Sequence, residues 1–130
     1  MAFRLKFDRV SKTLLLRVEG QVTDESLAEC YGAAQRYAAA TDARAGIVDF
    51  SSVTGFAVST DLIRQLADQE PILDRTRPRF IVAPTALLFG TARMFQILGE
   101  PTRPLLDVVH TMGEALAALG VESPHFEPLA

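Results

Sequence analysis

Three short apolar runs constrain this chain more than any other feature: "AGIVDFS" at 45–51, "RFIVAP" at 79–84 and "LLDVV" at 105–109. Each is too short for a helix, and the first carries β-branched residues at its centre. Continuous apolarity of that kind suits a strand buried on both faces of a sheet. After each run comes one stretch with helical spacing. Leu62, Ile63 and Leu66 mark a helix over 61–69 that Pro71 limits. Thr85 opens "ALLFGTARMFQIL", with Leu88, Ala92 and Phe95 on a broad apolar stripe beside Leu87, Met94 and Leu98. Thr111 and Glu114 are spaced as a capping box, and Gly120 stops the last helix. Strands that alternate with single helices lie parallel in one α/β layer.

The first 39 residues add a different motif. Phe3, Leu5 and Phe7 alternate with Arg4 and Lys6, and Leu14, Leu16 and Val18 share one face of a second strand over 13–18. The polar turn between them predicts an antiparallel hairpin, closed by Gly20. Thr23 or Asp24 then caps a helix whose apolar face carries Leu27, Tyr31, Ala34 and Ala38. The expected class is therefore α/β, with an N-terminal β-hairpin followed by alternating β and α in a mixed sheet of about five strands and about four helices. One domain spans 1–121. The tail, 122–130, has two prolines and no periodicity, and is expected on the surface or disordered.

Composition removes several function classes. A formal charge of -3 and a pI near 5.3, with no basic run, argue against nucleic acid as a partner. Cys30 is the only cysteine, so neither an intrachain disulfide nor a cysteine-based zinc site is expected. Its helix places it near the apolar stripe, where it reads as packing. The start alternates apolar and charged residues, unlike a signal peptide. No uncharged apolar stretch reaches about 18 residues, the minimum for a transmembrane segment. The expected location is the cytoplasm, and no cofactor is implied.

The candidate site residues cluster where strand becomes helix. Ser59 stands at a helix start, where its hydroxyl can cap a free backbone N–H or, with Thr60, accept a phosphate that the helix N-terminus would favour. Asp49 lies near the carboxyl end of a central strand, where open α/β sheets place binding groups. It leads into a loop with Ser51, Ser52, Thr54 and Gly55, which it can equally cap; Gly55 is read as supplying a positive φ. Phe89, Gly90 and Arg93 form a third candidate. A glycine inside a helix costs about 1 kcal/mol against alanine, which close packing on the sheet, a small ligand or a partner surface would each explain. His110 and His125 are the only histidines, and no nucleophile elbow, phosphate loop or dinucleotide fingerprint is present. No catalytic residue and no metal ligand are assigned.

The order of elements and the segment "IVDFSSVTGFAVSTDLIRQL" resemble the STAS domain, the fold of the anti-sigma factor antagonist SpoIIAA, over nearly the whole chain up to about Val121. In switch members of that family a serine of an Asp-Ser-Ser-Gly turn is phosphorylated, and Ser59 falls on that serine. Ala57, Val58 and Thr60 replace the turn's aspartate, first serine and glycine. "FGTARMFQIL" and "GEALAAL" look more like the uncharacterised bacterial SpoIIAA-like proteins of the STAS and Sec14-like superfamily. The resemblance implies a non-enzymatic module acting through a regulatory protein or a small ligand. It also implies, as alternatives, a lipid or small-molecule pocket under the third helix, or an anti-anti-sigma switch at Ser59. The leading hairpin leaves an edge strand guarded by Arg4 and Lys6, so a homodimer is a further expectation.

Overall fold

The computed structural model describes residues 1–129. Its elements run β1 (Ala2–Asp8), β2 (Thr13–Thr23), α1 (Asp24–Ala39), β3 (Ala45–Ala57), α2 (Thr60–Asp68), β4 (Arg79–Val82), α3 (Ala86–Leu98), β5 (Leu106–Val109), α4 (Met112–Leu119) and β6 (Glu127–Pro128). They build one six-stranded sheet in the order β5-β4-β3-β2-β1-β6. The hairpin is antiparallel, with Leu5 opposite Leu16, and β2 to β5 run parallel. This confirms the mixed α/β architecture and the four helices read from sequence.

Successive side chains of a strand point to opposite faces, and the core divides accordingly. Leu5, Leu14, Leu16 and Val18 meet Leu27 and Tyr31 of α1, Ile63 and Leu66 of α2, and Phe95 of α3. Leu15, Ile47 and Val82 meet Ala115 and Leu116 of α4 on the other side, joined by Phe126. Three helices therefore cover one face and a single short helix the other. A Cβ on Gly46 in β3 would lie 2.9 Å from Leu73 Cδ1, so a larger residue there would have to displace the tip of that side chain.

Three expectations are corrected. Strand β2 continues beyond Val18 to Thr23, and Gly20, with φ +81°, sits at a register irregularity inside it instead of closing the hairpin. Strand β3 runs on to Ala57, so Ser51, Ser52, Thr54 and Gly55 belong to a strand paired with β2 and not to a loop. The register shifts erase the alternation by which such a strand would be recognised. The tail supplies a sixth strand: β6 pairs antiparallel with β1, placing Pro128 opposite Lys6 and Glu127 opposite Phe7. A two-residue strand carrying a proline has no sequence period, and the position on an edge is where proline is tolerated.

The connection from α2 to β4 is held by two arginines. Arg103, only 3% exposed, donates to the carbonyls of Leu66, Ala67 and Gln69 and to the Tyr31 hydroxyl, and lies 4.8 Å from the centre of the Phe95 ring. Arg79 donates to the carbonyls of Leu73, Asp74 and Arg77. Neither guanidinium has a carboxylate salt-bridge partner among the described residues. Burial, followed by the nearby charge of Arg103, lowers the Arg79 pKa. Between the sheet and α1, α2 and α3 remains an apolar cavity of about 140 Å³. At about 24 cal/mol per Å³, such a void costs on the order of 3 kcal/mol if empty.

Candidate functional site

Parallel strands with intervening helices bring the helix N-termini to one edge of the sheet, where two of them meet. Thr23 caps α1 in a reciprocal box with Ser26, so Asp24 becomes the first helical residue. Its carboxylate reaches across to the start of α2. There it accepts hydrogen bonds of 2.7 Å from the Ser59 backbone N–H and of 2.7 Å from the Ser59 hydroxyl. The same hydroxyl accepts from Leu62 N at 3.1 Å. Ser59 is thus the expected cap, with its lone pair and its proton both engaged. The hydroxyl and then the backbone N–H of Ser59 hold the Asp24 carboxyl below its ordinary pKa of 3.8. The sequence reading left Thr23 and Asp24 as alternative caps; Thr23 is the cap, and the bridge from Asp24 was not legible because its partner lies 35 positions away.

Thr60 is exposed beside this junction, and Arg64 lies 3.9 Å from Asp61. Ser59 accounts for its place by capping alone.

Asp49 is placed differently from the expected binding position. It is 1% exposed, shares the face of Ile47, and lies next to Arg17 of β2. Its Oδ1 accepts from Ser51 N at 2.9 Å, the local cap anticipated for it. Its Oδ2 lies 3.4 Å from Arg17 Nε, and neither atom has a hydrogen-bond partner. Ser51, Ser52 and Thr54 are exposed along β3. Gly55 has no positive φ. A Cβ on it would come to 3.2 Å from the Gln21 side chain, which would have to shift by a few tenths of an ångström.

The third candidate gives the clearest geometry. Helix α3 fully buries only Leu88 and Ala92. On its other side Leu87 is 63% and Ile97 64% exposed, with Leu98 and Gly90 exposed between and beside them. Spacings of three, four and three along Leu87, Gly90, Met94 and Ile97 place these residues on one stripe, of which Met94 is half-buried against the core. A Cβ added to Gly90 would meet nothing within 4 Å. Close packing against the sheet, the first explanation of this glycine, is therefore overturned. Arg93 is exposed and its Nη1 donates to Gln96, whose amide donates in turn to the Leu106 carbonyl. Phe89 stacks on His110, with ring centroids 4.3 Å apart and planes 6° from parallel.

The Ser59 hydroxyl is engaged by Asp24 and Leu62, while His110 stacks on Phe89. Among the described residues no group of three His, Cys, Asp or Glu could hold a metal ion. No helix among the described residues is long and apolar enough to cross a membrane.

Comparison with solved structures then decides the fold. The anti-sigma factor antagonist SpoIIAA in its unphosphorylated form superposes with a TM-score of 0.57 at 16% identity, covering 94% of this chain and 100% of that one. The Bacillus cell fate determinant SpoIIAA in the phosphorylated form gives 0.53 at 16% identity, covering 91% and 99%. The chain has the SpoIIAA-like, or STAS, fold. No protein-family model and no curated protein sequence matches it. The SpoIIAA-like framework accounts for the hairpin, the parallel strands and the helix order. The Asp24–Ser59 bridge, the open α3 stripe and the cavity are properties read from this chain's own side chains.

Proposed function

We propose that this SpoIIAA-like domain is a non-catalytic regulatory module that binds a protein partner through the outer face of α3. The observation that carries the proposal is Gly90. It sits at the middle of a thirteen-residue helix, with open space where its side chain would be and apolar neighbours along the exposed stripe. A mid-helix glycine at an exposed site destabilises the helix by about 1 kcal/mol. Close approach by another backbone gives the small residue a purpose that the isolated chain lacks. Exposed apolar side chains arranged as a stripe, rather than singly, are a feature of interaction surfaces.

The fold likeness supports a regulatory setting, since one of the similar structures is named as an anti-sigma factor antagonist. A phosphorylation switch at Ser59 is the less favoured reading. A phosphoryl group there would stand beside the Asp24 carboxylate and displace the cap.

The test is site-specific photocrosslinking in the native cell. A photoreactive residue at Leu87 or Ile97 is expected to trap one protein partner, whereas the same residue at Arg36, on the exposed side of α1, traps none. Purified partner is then expected to bind the domain, with Gly90→Leu weakening binding at least tenfold and leaving the unfolding midpoint at or above that of the wild type. Binding unaffected by bulk at position 90 would refute this placement of the interface.

A further inference from the structure

The cavity beneath α1, α2 and α3 is a separate feature from the α3 outer face. Its wall includes Leu16, Ala34, Ile63, Leu88, Ala92 and Phe95, contributed by the sheet and all three helices. Its volume is about 140 Å³. A cavity of roughly 150 Å³ lined by aliphatic and aromatic groups stays dry and admits benzene. Pockets for drug-sized ligands occupy about 300–1,000 Å³, so the present one is too small for an acyl lipid or a fused-ring system. The lipid alternative implied by the family resemblance therefore does not fit this volume.

The polar groups at the wall define the ligand's chemistry further. Tyr31, Arg79 and Arg103 border the space. The Tyr31 hydroxyl donates to the Glu70 carbonyl and accepts from Arg103. Both terminal nitrogens of Arg103 donate to backbone carbonyls of the last turn of α2, and both of Arg79 to carbonyls of the α2–β4 connection. A carboxylate entering the cavity would have to take donors away from those carbonyls, leaving them unpaired in the interior.

We propose that this cavity is a binding site for a small neutral apolar molecule, of the size of one six-membered ring or a chain of about six carbons. Such a ligand replaces the contacts that the void withholds from its lining and requires no hydrogen bond. The inference is independent of the α3 docking surface, and no partner protein is needed to test it.

The experiment uses the full chain with methyl-labelled Ile, Leu and Val, titrated with toluene and cyclohexane, and in parallel with benzoate and palmitate. Toluene or cyclohexane is expected to produce saturable shifts of the Ile63 and Leu88 methyl resonances and, near saturation, to raise the unfolding temperature by about 4 °C. Ala92→Leu and Ala34→Leu each fill part of the space and are expected to abolish both effects; either variant suffices should the other fail to fold. The proposal is overturned by a folded wild type that shows no saturable shift with either neutral probe. It is equally overturned by tighter binding of benzoate than of toluene, by saturable palmitate binding at these methyls, or by undiminished toluene binding in a folded, cavity-filled variant.

Discussion

At the residue scale, the helix caps were legible because a cap is local. Thr85, Ser59 and Thr111 each accept from the backbone N–H three residues on, as their spacing predicts. The bridge from Asp24 to Ser59 was not, since it depends on which helix starts the fold brings together. Ser59→Ala should cost about 1 kcal/mol in urea unfolding. Most of that loss should persist when Asp24 is already asparagine, because the cap is made to Leu62 N and not to Asp24. The pH dependence has a definite sign. The folded-state pKa of Asp24 lies below its unfolded value of 3.8, so its contribution is complete above about pH 4 and is lost as pH falls through the folded value. Asp24→Asn should therefore flatten stability against pH in that acid window and leave the slope near neutrality unchanged. Cys30 behaves oppositely. Burial, with a smaller push from Glu29, raises its thiol to about 12. Its contribution is full below the unfolded pKa near 9 and declines as pH rises from there toward 12. A thiol reagent at pH 8 should label Cys30 only as fast as the chain opens, and at once in denaturant.

At the element scale, periodicity located all four helices, whose apolar residues repeat on one face, and short apolar runs located the strands covered on both faces. It failed where tertiary contacts replace pattern. The stretch between α2 and β4 reads as a polar connection with two prolines, yet its start, with the last turn of α2, is held by Arg103 from beyond α3, and its carbonyls at Leu73 and Asp74 by Arg79 from the start of β4. Two arginines in polar, proline-containing surroundings give no sequence signal for such burial. Removing Arg103 exposes the consequence: Arg103→Met keeps much of the packing on Phe95 but takes the buried donors away from the carbonyls of Leu66, Ala67 and Gln69 and from the Tyr31 hydroxyl, leaving Leu66 only the Gln69 N–H and Tyr31 only its bond to the Glu70 carbonyl. We expect a loss of about 3 kcal/mol, measured by urea unfolding. Arg103→Lys should recover only part of it, because an ammonium cannot reproduce the planar fork. Hydrogen exchange should show the C-terminal turn of α2 opening in both variants before the sheet does.

At the scale of the whole molecule, the class and strand direction were readable from the alternation of elements, while the treatment of the sheet's edge was not. A bare β1 suggested self-association. In the folded chain the tail returns to that strand, with Leu129 N donating to the Leu5 carbonyl at 2.8 Å and Phe126 packing beside Leu116 and Leu119 of α4. Strand edges that present free N–H and C=O groups are templates for pairing with a second chain. The tail covers the half of β1 nearest the turn, and Arg4, paired with Glu19 at 3.6 Å, marks the other half. A chain ending at Glu122 should lose about 2 kcal/mol from the missing Phe126 burial and edge hydrogen bonds, and its sedimentation should become concentration-dependent. Phe126→Ala in the full chain separates the two effects. It should reproduce most of the stability loss while β6 still covers β1, so the protein should sediment no differently from the wild type. Association of Phe126→Ala to the same extent as the truncated chain would assign the effect to the loosened core and not to the uncovered edge.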